Sequence, residues 1–130
     1  MSVERERKRT AAQQEVQANA KRRKLDNYNQ KCERVLHLNT EVAKAKMNLT
    51  SAEETLDTAT SNLDAAAASG TATEATLRKF RQAMVTKTNT RVTKARVYSN
   101  KSKAYTDAVS NLQEWKLKNK IDELQVEANE

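Results

Sequence analysis

The sequence predicts an all-α chain: two long helices forming an antiparallel coiled-coil hairpin, reversing near Gly70 and completed by association with other helices. Three observations predict it. The 130 residues contain no proline and one glycine, whereas a sheet protein needs a turn residue every eight to twelve positions. Apolar residues make up 37% and charged residues 32%, the balance of long helices rather than of a thick core. Third, Val35, Val42, Leu49, Leu56 and Leu63 recur at intervals of seven, with Leu38, Ala45, Ala52, Ala59 and Ala66 interleaved. That is a heptad seam with small residues in alternate layers, which lets a partner helix approach closely.

The first helix is expected over about 3–68, close to 100 Å at 1.5 Å per residue. Upstream of Val35 the heptad decays, because Lys21, Lys24 and Lys31 fall in the frame and only Tyr28 holds it. Alanines still favour helix there, and Glu4 and Glu6 suit a first turn. The turn is expected at 69–71, with Gly70 as a left-handed C′ residue. Thr71-Ala72-Thr73-Glu74 reads as a capping box for the second helix, about 72–126. Its seam runs Leu77, Phe80, Met84, Thr88, Arg91, Ala95, Tyr98, Ser102, Tyr105, Val109 and Leu112, then slips to Leu117, Ile121 and Leu124. Val85 and Val92 widen the apolar face and suggest a second contact. The 130 residues are read as one elongated helical domain.

Charge tests the hairpin. Residues 1–34 hold ten bases and five acids, 35–76 two and six, and 77–130 twelve and six, within a net charge of +7. A fold about Gly70 pairs residues whose numbers add to about 140. It sets the acid-free run Arg78–Lys103 against Glu41, Glu53, Glu54 and Asp57, and Lys21-Arg22-Arg23-Lys24 against Asp122, Glu123 and Glu127. Such matching selects orientation more than it stabilises.

The composition leaves little room for catalysis. One cysteine and one histidine cannot build a zinc site or a Cys–His pair within one chain. Phosphate-cradling glycine loops are absent, so no cofactor, metal or catalytic residue is expected. No apolar run reaches the ~18 residues of a membrane span, and no apolar core follows the basic amino terminus as in a secretory signal. Cys32 reads as a small packed residue and His37 as a surface neighbour of the seam.

Other features have partner-binding readings. Arg5, Arg7, Lys8 and Arg9, the cluster Lys21, Arg22, Arg23 and Lys24, and Arg78, Lys79, Arg81, Arg91 and Arg96 are candidate contacts to DNA phosphates or an acidic partner. Against this, interhelical neutralisation accounts for part of the same charge. Tyr98 and Tyr105 share the seam frame, which favours packing over stacking on bases. Trp115, near the seam slip, is a candidate partner anchor.

The segments Gln13-Gln14-Glu15-Val16-Gln17-Ala18-Asn19-Ala20 and Asp26-Asn27-Tyr28-Asn29-Gln30-Lys31 resemble the Ala/Asn/Gln-rich helices of small internal virion proteins of T7-like podoviruses. The resemblance implies a protein packed inside the capsid around the portal and expelled ahead of the genome to help form a conduit. The chain departs from that pattern in lacking a strongly apolar stretch, which favours a structural place in the particle. The expectation is therefore a non-enzymatic structural or assembly protein, a homo-oligomer or partner of other virion proteins, located in the virion or otherwise the cytoplasm. The alternatives are a basic DNA-binding helical module and a small helical inhibitor of a host protein using Trp115.

Overall fold

A computed structural model describes residues 2–129, with the side chains of Ser2, Glu4 and Glu6 outside the description, and with them the expected first-turn role of both glutamates. Three helices follow in order: α1, Ser2–Ser69; α2, Glu74–Lys118; and α3, Ile121–Asn129. The described residues contain no strand. The chain divides into two compact units, one made of Met1–Leu36 with Asp107–Glu130, the other of His37–Thr106.

In the 37–106 unit the heptad sets the packing. Leu38, Ala45 and Ala52 are buried, at 9%, 6% and 8% exposure. Val42, Leu49, Leu56, Ala59, Leu63 and Ala66 are half-buried, alternating in steps of three and four. On α2, Leu77, Phe80, Met84, Thr88, Arg91, Ala95, Tyr98, Ser102 and Tyr105 are half-buried in the expected frame. Val85 and Val92 remain exposed beside it. The hydroxyls of Thr86, Thr88, Thr90 and Thr93 each donate to the carbonyl four residues back, which satisfies them within the helix.

The reversal lies where the glycine predicts. Gly70 has φ 68°, the left-handed conformation that glycine adopts without a Cβ penalty. Ser69 Oγ donates to Ala66 O at 2.7 Å and accepts from Thr71 N at 3.3 Å. The expected Thr71–Glu74 capping box does not form. Thr73 is the cap instead, its Oγ1 accepting from Thr76 N at 3.2 Å while its carbonyl accepts from Leu77 N at 3.0 Å. Two threonines stand three residues before a candidate partner, and the one adjoining the helix takes the cap position.

The unit of 1–36 with 107–130 departs further from expectation. The seam of α1 does not decay above Val35. It continues through Leu25, Tyr28, Cys32 and Val35, all half-buried, while Lys21, Lys24 and Lys31 are exposed. Between Cys32 and Leu38 two steps of three replace a step of three and one of four, and that single change moves the lysines off the face. α2 is also not continuous to 126. Asn119 Nδ2 donates to Trp115 O at 2.9 Å, and Lys120, with φ 52°, donates its N–H to Leu117 O at 3.2 Å. An asparagine bonded to its own helix and a left-handed residue after it end α2. Ile121 then opens α3 with 0% exposure, whereas Leu117, expected in the seam, is 77% exposed. The break turns the chain so that Ile121 rather than Leu117 faces inward.

Pairing follows the hairpin with a shifted register. Glu41 meets Lys101, two residues past the partner expected from a fold about Gly70. Lys21 meets Glu127 at 2.9 Å, eight past it, in a unit where the break at 119–120 has intervened.

Candidate functional site

The most differentiated surface belongs to the 1–36/107–130 unit and centres on Trp115. One turn of α1 supplies Lys31, Arg34 and Val35, and α2 supplies Ala108, Asn111, Leu112 and the indole; together they line a recess of about 280 Å³. A second recess, about 410 Å³, shares Lys31, Arg34 and Trp115 with the first and is otherwise lined by Asn27 and Gln30. Lys31 Nζ lies 5.4 Å from the indole centroid, within the range where ring and cation attract. Neither lining contains an acid. The first recess thus combines an apolar floor, an aromatic wall and two cations at its rim.

A polar cluster lies in the same unit. Lys116 Nζ stands 5.8 Å from the Tyr28 ring centroid and 3.2 Å from Asp122 Oδ1. The hydrogen bond to Asp122 holds the ammonium above its usual range, with the Tyr28 field adding to it. A hydrogen bond with Cys32 raises the Tyr28 phenol, burial adds to the rise, and Lys116 opposes it. Cys32 is half-buried in this cluster.

In the 37–106 unit, Lys87, Lys94 and Lys101 recur at intervals of seven along one flank of α2, all half-buried. Lys101 Nζ donates to Glu41 Oε2 at 3.1 Å, and His37 Nε2 lies 3.1 Å from Glu41 Oε1. The hydrogen bond to Lys101 holds the Glu41 carboxyl below its ordinary range, against a smaller opposing effect of desolvation. Among the described residues, Glu41 is the acid in α1 of this unit that forms an ion pair; Glu53, Glu54 and Asp57 are exposed, and the neutralisation expected of them is not made. Ser102 Oγ is buried with no hydrogen-bond partner.

The structure places the sequence-derived candidates as follows. Val35, Leu38, Val42, Leu49, Leu56, Leu63, Leu77, Phe80, Met84, Tyr98, Tyr105 and Leu112 all lie on buried or half-buried faces. Arg5, Arg7, Lys8 and Arg9 are exposed, as are Arg22, Arg23 and Lys24, whereas Lys21 is committed to Glu127. Arg78, Lys79, Arg81 and Arg96 are exposed, with Arg81 pairing Glu74 at 3.3 Å, and Arg91 is half-buried in the seam. Lys31 and Arg34 escaped sequence reasoning, although their i, i+3 spacing puts both on one side of a helix. No cluster of metal-ligating side chains, and no helix long and apolar enough to cross a membrane, occurs among the described residues.

No family model, curated protein or solved structure matches this chain.

Proposed function

We propose that the chain is a non-enzymatic structural or assembly protein, a helical hairpin whose core is completed by coiled-coil association with further helices. The observation that carries this reading is the shortage of burial. Among the described residues only Leu38, Ala45, Ala52 and Ile121 are buried, and the chain exposes 10208 Å². A monomeric globular protein of 14.7 kDa exposes about 6,900 Å². Ordering the backbone costs about 1–2 kcal/mol per residue, and alanine layers bury too little surface to offset much of that. Val85 and Val92 add exposed apolar surface on the seam's margin. The resemblance of residues 13–20 and 26–31 to internal virion proteins suggests a phage particle, near the portal or internal core, as the setting.

A second reading, a basic module contacting DNA, draws on the Lys87–Lys94–Lys101 row, which meets a single acid. One experiment separates the two. Sedimentation equilibrium with circular dichroism over a dilution series should show an oligomer whose helicity falls as it dissociates. A helical monomer at nanomolar concentration that binds duplex DNA, with affinity falling steeply with salt, would replace the first reading by the second.

A further inference from the structure

We propose that the Trp115 recess receives a second copy of this chain, through the back of α1 around Met47, Glu54 and Asp57. This rests on the assembly reading above and names the surfaces through which assembly proceeds.

The recess selects a ligand with an apolar tip and negative charge beside it. Its floor is Val35, Ala108 and Leu112, its wall is the indole, and its rim carries Lys31 and Arg34 with no acid in the lining. That composition excludes a two-fold contact of the recess with itself, because a two-fold axis would set Lys31 and Arg34 against their own copies. A head-to-tail contact with a different, acidic surface remains.

Among the described residues, the longest such surface lies on α1. From Met47 to Leu77 there is no basic residue, while Glu53, Glu54, Asp57, Asp64 and Glu74 are acidic. At the edge of this stretch Met47 is 71% exposed, the most exposed large apolar side chain of α1. Ala43, Thr50 and Ser51 surround it in a shallow apolar hollow, where Lys46 is the one cation of the lining. Glu54 follows Met47 by seven residues and so shares its side of the helix, about 10.5 Å along the axis, and Asp57 stands one turn further. A thioether is flexible and makes favourable contacts with aromatic rings, so Met47 fits against Trp115 while the carboxylates reach the Lys31 and Arg34 rim. Repetition of one heterologous contact gives a ring or an open filament, the forms an assembly protein uses.

The single tryptophan of the chain reports the contact directly. Wild-type protein, followed by sedimentation and Trp115 emission over the same dilution series, should change emission at the concentration where it dissociates, and Met47→Ala should remove that change. Lys31→Glu with Arg34→Glu, and Glu54→Lys with Asp57→Lys, alter only exposed positions. Each double variant alone should weaken association at least tenfold, and an equimolar mixture should restore it. Lys46→Glu should tighten association about two- to fivefold, the value of one or two exposed ion pairs. Circular dichroism at a concentration high enough to hold each variant associated checks that it folds as the wild type does.

Self-association with Trp115 emission constant and both reversals silent would overturn this inference and leave the assembly reading standing. A helical monomer at all concentrations would overturn both. Quenching of Trp115 in the monomer by a single-stranded oligonucleotide, lost with Lys31→Glu and Arg34→Glu, would assign the recess to nucleic acid instead.

Discussion

The two units solve the same problem, holding α-helices together with little apolar mass, in different ways. In the 37–106 unit burial is distributed. Leu38, Ala45 and Ala52 are the deepest points of a repeat in which every third or fourth residue contributes a little. In the 1–36/107–130 unit burial is concentrated in Ile121, which is fully enclosed; the same unit holds two cation–ring pairs, and a break in the helix directly precedes Ile121. A regular repeat needs no strained backbone. A single anchor does, since Lys120 sits in a left-handed conformation that costs an L-residue about 1–2 kcal/mol.

That contrast is sharpest under truncation. Ile121→Ala removes the one fully buried large side chain among the described residues, a change that costs about 2–5 kcal/mol where the site cannot collapse. Trp115 belongs to the same unit, so chemical unfolding followed by its emission should shift to lower denaturant by that amount. A loss below about 1 kcal/mol, under the lower end of that range, would mean that Ile121 does not secure the break and that the unit relies on distributed packing as well.

The same contrast explains what could be read from the sequence. The 37–106 seam was legible because spacing and residue size agree at each layer from Leu38 to Ala66, and Gly70 marks the reversal unambiguously. The other unit was not, because its signals are ambiguous in one dimension. Cys32 and Tyr28 are not strongly apolar, so a phase change of one residue between Cys32 and Leu38 was read as decay. The break after Lys118 contains neither glycine nor proline. It depends on the Asn119 amide reaching Trp115 O, a local bond that the residue type allows without requiring, and on burial of Ile121, which is a tertiary fact. The Trp115 recess was half legible: the ring stood out, but Lys31 was read as a flaw in the seam rather than as a cation over the indole.

A smaller effect tests whether the regular unit carries a flaw of its own. Ser102 occupies a seam position where its hydroxyl is buried without a partner. Leaving such a group unsatisfied costs about 1–3 kcal/mol, and alanine is also the better helix former. Ser102→Ala should therefore raise the stability of the chain by about 1 kcal/mol, measured by thermal or urea unfolding. A destabilised variant would mean that the hydroxyl is engaged in the assembled state, and that this flank of the seam is covered by another helix.

The smallest expected effect concerns the ion pair that orients the regular unit. Lys101 hydrogen-bonds Glu41 and holds its carboxyl below the ordinary value of 4.5, with His37 contributing less. A carboxyl whose folded-state value is depressed contributes stability that is complete above its unfolded value and disappears as pH falls through the folded one. Wild type should therefore exceed Glu41→Gln in melting temperature at pH 7. The two should converge as pH drops below 4.5, because the protonated glutamate and the glutamine are then alike in charge. Both partners are partly solvated, so the gap at pH 7 should be small and should shrink further in molar salt. Comparing the two proteins removes the titration of the other carboxylates, which is common to both. A gap that persists unchanged to pH 3 would show that Glu41 acts through packing of its stem rather than its charge, and the regular unit would then owe its register to the apolar repeat alone.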